Sequence, residues 1–167
     1  MHLTFQPLLL ATAHEITTWI YPPPYEIYGY QQRPRVTALA YLTAPEHRFY
    51  AAYHRTDLVG FRSFGADGRV AGGDYDGRYL DTGGGLRPDL TGQGLGRSAI
   101  AQGLHFGTQT YGTQRFRVTI AAFNLRAQKT CQHLGFQITQ SFLRPTDQKA
   151  FHVLTLDALP PPGHFVT

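Results

Sequence analysis

Thr91-Gly92-Gln93-Gly94-Leu95-Gly96 lies between a strand-like run closed by Pro88 and a run of helical period that opens at Leu95. The first amides of a helix have no partner inside it and point along the positive end of the peptide dipoles, so they can hold phosphate oxygens. Glycines permit the tight turn and leave room for a ligand, and Arg97 adds a cation beside it. Such a pattern alone also serves a purely structural turn. A dinucleotide fingerprint would need an acidic residue near the end of the next strand, where this chain has Thr119-Ile120-Ala121-Ala122. A triphosphate loop of the Gly-Lys-Ser/Thr type is absent as well.

Downstream, Leu95 to about Phe106 reads as a helix. Phe116, Val118 and Ile120 then alternate with Arg115, Arg117 and Thr119, as in a strand with one buried face. Asn124 suits the cap of a second helix that runs through Ala127 and Cys131 to a stop at Gly135. Strands near Ile138 to Leu143 and Ala150 to Leu156 follow. Upstream, Tyr79 to Leu86 reads as a strand whose Gly83-Gly84-Gly85 lets another backbone or a ligand approach closely. Arg48 to His54 and Leu58 to Phe64 read as a hairpin turning at Arg55-Thr56-Asp57. Residues 34–43 read as a short helix. Leu3 and Phe5 open a first strand, and Pro7 fits the first turn of a helix with Leu9, Ala13, Ile16, Trp19 and Ile20 as its packed stripe. Three prolines at Pro22 to Pro24 force an aromatic-rich loop through Tyr30. Strands separated by helices in the centre, with hairpins outside, predict a mixed α/β fold: a sheet covered by helices.

One domain over residues 1–157 and a Pro-rich tail over 158–167 suit a chain of 167 residues. The formal charge of +4 is dispersed as single arginines, which argues against a nucleic-acid surface. Cys131 alone can form neither an intrachain disulfide nor a cysteine zinc cluster. No window reaches membrane-spanning length, and the first residues carry no basic leader, so a cytoplasmic location is the expectation. His14-Glu15 lacks the second histidine of a metal pair, and no metal is expected.

The segment Leu86 to Gly96, followed by Asn124 to Phe136, resembles the GNAT superfamily of acyl-CoA-dependent N-acetyltransferases. In that family Arg/Gln-x-x-Gly-x-Gly/Ala starts the helix that holds the cofactor pyrophosphate. Thr91, Gly94 and Gly96 stand at its three positions, and the first departs. Asn124 to Phe136 is similar to the family's Asn-x-x-Ala-x-x-x-Tyr-x-x-x-Gly-Phe, with Cys131 in place of the tyrosine. Trp19-Ile20-Tyr21, Pro24-Tyr25, Tyr28 and Asp81 to Pro88 look like a bacterial subgroup whose acceptor is unassigned.

The resemblance implies a splayed, mostly antiparallel central sheet of six to seven strands, and acetyl transfer from acetyl-CoA to a primary amine by direct attack. It places the cofactor on Thr91, Gly92, Gln93, Gly94, Leu95, Gly96 and Arg97. Backbone groups of Leu86 and Arg87 would bind the pantetheine arm and polarise the thioester carbonyl. Asn124, Ala127 and Lys129 would line the other wall, with Asn124 serving as a cap, a ligand group or both. Cys131 is either a proton donor to the departing thiolate or a small packing residue. Asp81 is the only acidic side chain in the strand before the turn and the candidate base, although strict alternation puts it on the face opposite Leu86. Trp19, Tyr21, Tyr25 and Tyr28 are the acceptor candidates, with anchoring of the loop as the other reading of Trp19 and Tyr25. A protein that only binds or senses acyl-CoA is the alternative function. The partners expected are acyl-CoA and an amine, small or peptide-borne, with no nucleic acid or membrane; a homodimer stays open.

Overall fold

In the computed structural model, which describes residues 1–161, β1 (Thr4–Pro7), β2 (Phe49–His54), β3 (Asp57–Phe64), β4 (Leu80–Leu86), β5 (Phe116–Ala121), β6 (Gln137–Leu143) and β7 (Ala150–Leu156) form a seven-stranded sheet. Its order is β1-β2-β3-β4-β5-β7-β6. β1 with β2, β2 with β3, β5 with β7 and β6 with β7 are antiparallel, while β4 runs parallel to β5. Helices α1 (Leu10–Ile16), α2 (Arg35–Thr43), α3 (Gly96–Tyr111) and α4 (Leu125–His133) complete the mixed α/β fold expected from the sequence. β4 registers with β5 only at Leu80↔Phe116 and Asp81↔Arg117.

The chain divides into two compact units, Met1–Ser63 with Gly84–Leu95, and Phe64–Gly83 with Gly96–Thr167. The first has its core in Leu8, Ala13, Ile16, Trp19, Leu42, Phe49, Ala51 and Leu58, with Phe61 against it. Here the first helix departs from expectation. Pro7 ends β1, opposite Tyr50, where a residue without an N–H is tolerated on an edge strand. The helix starts only at Leu10, its cap Leu9 still extended at φ −94° and ψ 163°, and it stops at Ile16. Leu9 and Ile20 are exposed, while Leu8 takes the buried position beside Ala13 and Ile16. The stripe of apolar residues from Leu9 to Ile20 is therefore not one helical face.

In the second unit the middle turns of α3 bury Ala101, Gly103, Leu104 and Gly107, and Phe64 packs on Phe106 and Tyr111 at centroid distances of 6.1 and 5.2 Å. α3 runs past Phe106 to Tyr111 because Gly112, at φ +70°, is the first residue that ends it, returning its N–H to Thr108. α4 is capped as its sequence demands. The Asn124 Oδ1 accepts from the Ala127 amide at 3.1 Å, and Gly135 at φ +97° donates to the Gln132 carbonyl. Leu159, at the start of the Pro-rich tail, is buried; residues 162–167 of the tail lie outside the described residues.

Candidate active site

Gly92 and Gly94 hold φ +76° and +77°, the left-handed region that a glycine reaches without steric cost. Between them and the strand end the turn is braced from within. Thr91 Oγ1 donates to the Pro88 carbonyl at 2.8 Å, and Gln93 Nε2 to the Asp89 carbonyl at 2.5 Å. These two side chains thus shape the turn, and Gly92, Gln93 and Gly94 stay exposed. A Cβ built on Gly94 would meet no atom within 4 Å. The helix that follows is 16 residues long and has no acidic side chain in its first turn. It opens at Gly96, with Leu95 as the residue before it. These features fit a diphosphate: free space at the glycine, a long helix behind it and no competing carboxylate on that turn.

Leu86 and Arg87 close β4 with most of their groups already used. The Arg87 amide donates to Val59 on β3 at 2.9 Å, and Leu90 donates to the Arg87 carbonyl. The Leu86 carbonyl accepts the Tyr21 hydroxyl at 2.8 Å. The Arg87 guanidinium forks onto the Asp89 carboxylate at 2.7 and 3.0 Å and reaches the Leu58 carbonyl at 2.8 Å. That hydrogen-bonded pairing raises the Arg87 pKa and lowers that of Asp89. Arg87 thus braces the strand end with its amide, its carbonyl and its guanidinium. The glycine run has its reason here. A Cβ on Gly84 would stand 2.5 Å from the Phe61 carbonyl oxygen and 3.2 Å from the Arg62 guanidinium, and one on Gly85 would stand 3.0 Å from the Tyr21 hydroxyl.

The four aromatic acceptor candidates separate. Trp19 is buried against Phe61, 6.2 Å between centroids, and belongs to the core. Tyr21 is 7% exposed and spends its hydroxyl on Leu86. Tyr25 and Tyr28 bound a single helical turn in the loop, the first half-buried and the second exposed.

Asp81 is not free to act as a base. Its carboxylate accepts from Arg117 Nε at 2.6 Å and Nη2 at 2.9 Å, and from Arg69 Nε at 2.8 Å, and its side chain is 0% exposed. Arg117, 3% exposed, also reaches the Asp76 backbone and side chain. The hydrogen bond to Asp81 raises the Arg117 pKa against the opposing effect of burial. Tyr75 and Tyr79 lie over the guanidinium at 5.0 and 5.8 Å. The second face of β5, expected to meet solvent, is closed by this network. Sequence reading missed Arg117, Arg69 and Asp76, because the register that sets Asp81 beside Arg117 exists only once β4 and β5 have paired.

On α4, Cys131 is 3% exposed and Gln128 is buried, donating to the carbonyls of Ala121 and Ala122 at 3.2 and 2.9 Å. Lys129 is exposed, and Ala127 shares a face with Thr130, whose Cγ2 lies 3.9 Å from a Cβ built on Gly96. Thr130 is thus the α4 side chain that borders the first residue of α3, one that sequence reading passed over. Among the described residues no group of three or more His, Cys, Asp and Glu side chains could hold a metal ion, and no helix is long and apolar enough to cross a membrane.

The model of the acetyltransferase (GNAT) family matches residues 10–136, which take in the glycine turn and all of α4. The chain belongs to the GNAT family. It is an acyl-CoA-dependent N-acetyltransferase, and the departures at Thr91 and Cys131 are variations within a GNAT domain. No curated protein sequence matches it. Among solved structures it is similar to the aminoglycoside acetyltransferase AAC(6')-Ib in complex with coenzyme A, at 13% identity and TM-score 0.74 over 93% of this chain and 95% of that one. It is also similar to YncA, a putative acetyltransferase from Salmonella typhimurium with acetyl-CoA, at 18% identity and TM-score 0.63 over 93% of both chains. A chimera of the spermidine N-acetyltransferase SpeG from Vibrio cholerae and hSSAT gives 13% identity and TM-score 0.69 over 92% and 94%. At such identities these structures share the GNAT fold with this chain.

Proposed function

We propose that the chain moves an acetyl group from acetyl-CoA directly to a primary amine, with the CoA diphosphate on the stretch Thr91 to Arg97. The observation that carries this reading is the turn itself: two glycines in the left-handed region, empty space at Gly94, and the start of α3 directly after them. Amides of this stretch bind phosphate oxygens, and Arg97 adds charge. Thr130 borders the start of α3 from α4. Acetyl-CoA supplies an activated thioester.

Successive residues of a strand point their backbone groups to opposite edges. Arg87 aims its amide at β3, so the Leu86 amide one residue earlier faces the other edge of β4. It is the donor that would polarise the acyl carbonyl, the electrostatic requirement of acyl transfer. Tyr25 and Tyr28 offer ring faces and hydroxyls to an ammonium or an apolar amine before it attacks. With Asp81 bound to two guanidiniums, the proton leaving the ammonium passes to water. Cys131 is read as a packing residue and Asn124 first of all as a cap.

The test is release of thiol from acetyl-CoA against a panel of amines that includes an aminoglycoside and spermidine, the acceptors suggested by the structural relatives, together with peptide N-termini and lysine. The reading predicts thiol release that depends on the amine and an N-acetylated product by mass spectrometry. Thiol release at the same rate without any amine would contradict it.

A further inference from the structure

Tyr21 lies at the root of the proline loop, far in sequence from the glycine turn, yet its hydroxyl donates to the last carbonyl of β4. The Leu86 carbonyl shares the edge of the Leu86 amide, opposite the edge at which Arg87 donates to Val59. Tyr21 therefore grips the strand on the edge where the Leu86 amide is presented. Three further features make the grip specific. Gly85 has no side chain where one would stand 3.0 Å from the Tyr21 hydroxyl. Gly60 has none where a Cβ would stand 2.6 Å from the Gly85 carbonyl oxygen, so β3 can back the strand closely. Burial pushes the Tyr21 phenol up to about 12, which keeps it a donor at every pH of ordinary use.

We infer that Tyr21 is a positioning residue for the acyl carrier: it pins the peptide between Leu86 and Arg87 so that the Leu86 amide is held for the pantetheine arm and the acyl carbonyl. The Leu86–Arg87 peptide is then fixed at both ends, its C=O by Tyr21 and its N–H by Val59. Losing the hydroxyl frees the carbonyl end of that peptide, and through Leu86 loosens the preceding peptide plane that carries the Leu86 N–H. This rests on the reading that Leu86 meets the acyl carrier, and it takes Tyr21 out of the acceptor pocket.

The experiment titrates CoA, and CoA nucleotide stripped of its pantetheine arm, into the parent, Tyr21→Phe and Gly94→Asp by calorimetry, with steady-state kinetics on the first two. Tyr21→Phe keeps the buried ring and loses one hydrogen bond, so CoA should bind about fivefold to tenfold more weakly. The stripped nucleotide should bind it as it binds the parent, and the KM for acetyl-CoA should rise while that for the amine stays. Gly94→Asp should weaken both ligands. Unchanged or tighter CoA binding by Tyr21→Phe, equal weakening of both ligands, or a change confined to the amine KM would each overturn the inference. Parent-like binding by Gly94→Asp would instead remove the turn as the diphosphate site. Gly85→Ala is the second variant. Its methyl would stand 3.0 Å from the hydroxyl and displace it while residue 21 stays a tyrosine, and it should weaken CoA while sparing the stripped nucleotide; parent-like CoA binding would count against the inference.

Discussion

Cys131→Ser keeps the size of the side chain but exchanges a weakly polar buried thiol for a hydroxyl that costs more to take out of water. With Cys131 3% exposed, the change is expected to cost about 1–2 kcal/mol in chemical unfolding and to leave turnover within about threefold of the parent. A hundredfold loss of turnover at unchanged stability would restore the thiol as proton donor. Asp81→Asn leaves Arg117 and Arg69 facing a neutral group in a buried site, so about 3–5 kcal/mol of stability should go, with the pH–rate profile of the folded fraction unchanged in shape. Loss of one limb of that profile without destabilisation would return Asp81 to the chemistry. For Tyr21 the folded phenol titrates near 12 against an ordinary 10.0, so the contribution is whole below pH 10 and disappears as pH rises towards 12. Denaturant midpoints over that window should fall more steeply for the parent than for Tyr21→Phe; parallel curves would contradict the burial effect. At this scale the sequence was legible where a residue's role is local, as with Asn124 and Gly135. It was not legible for Asp81, whose partners Arg117 and Arg69 are brought to it by strand pairing and by a loop.

Within single elements, glycines make the sharpest test. Gly107 lies inside α3, where alanine ordinarily stabilises by about 0.5–1 kcal/mol. A Cβ there would stand 2.5 Å from the Phe64 ring and 3.1 Å from Phe116, so Gly107→Ala should destabilise by about 1–3 kcal/mol instead. A raised thermal midpoint would show that the α3 packing has been misjudged. The elements themselves were legible wherever period and punctuation agreed. α2, α4 and the β2–β3 hairpin came out within about a residue or two of expectation. The first helix failed because Leu9, Trp19 and Ile20 matched its period by count, while Pro7 was better accommodated on an edge strand and Leu8 took the buried position.

For the chain as a whole, the mixed and mostly antiparallel sheet could be read from the order of its elements and from family resemblance. The insertion of β7 between β5 and β6 could not, because strand order depends on which face each strand buries after the chain has turned back. The glycine turn was legible because it is continuous in sequence; the grip of Tyr21 on Leu86 was not, since 65 positions separate them. The central claim, that Thr91 to Arg97 binds the CoA diphosphate, is tested most directly by calorimetric titration of acetyl-CoA into the parent, Gly94→Asn and Gly94→Asp. Asparagine tolerates the left-handed backbone and carries no charge, whereas a carboxylate a few ångströms from phosphates costs about 1–4 kcal/mol per charge pair. The account predicts a modest loss for Gly94→Asn and a further loss of about tenfold to several-hundredfold for Gly94→Asp. Equal affinity of Gly94→Asp and the parent would contradict it.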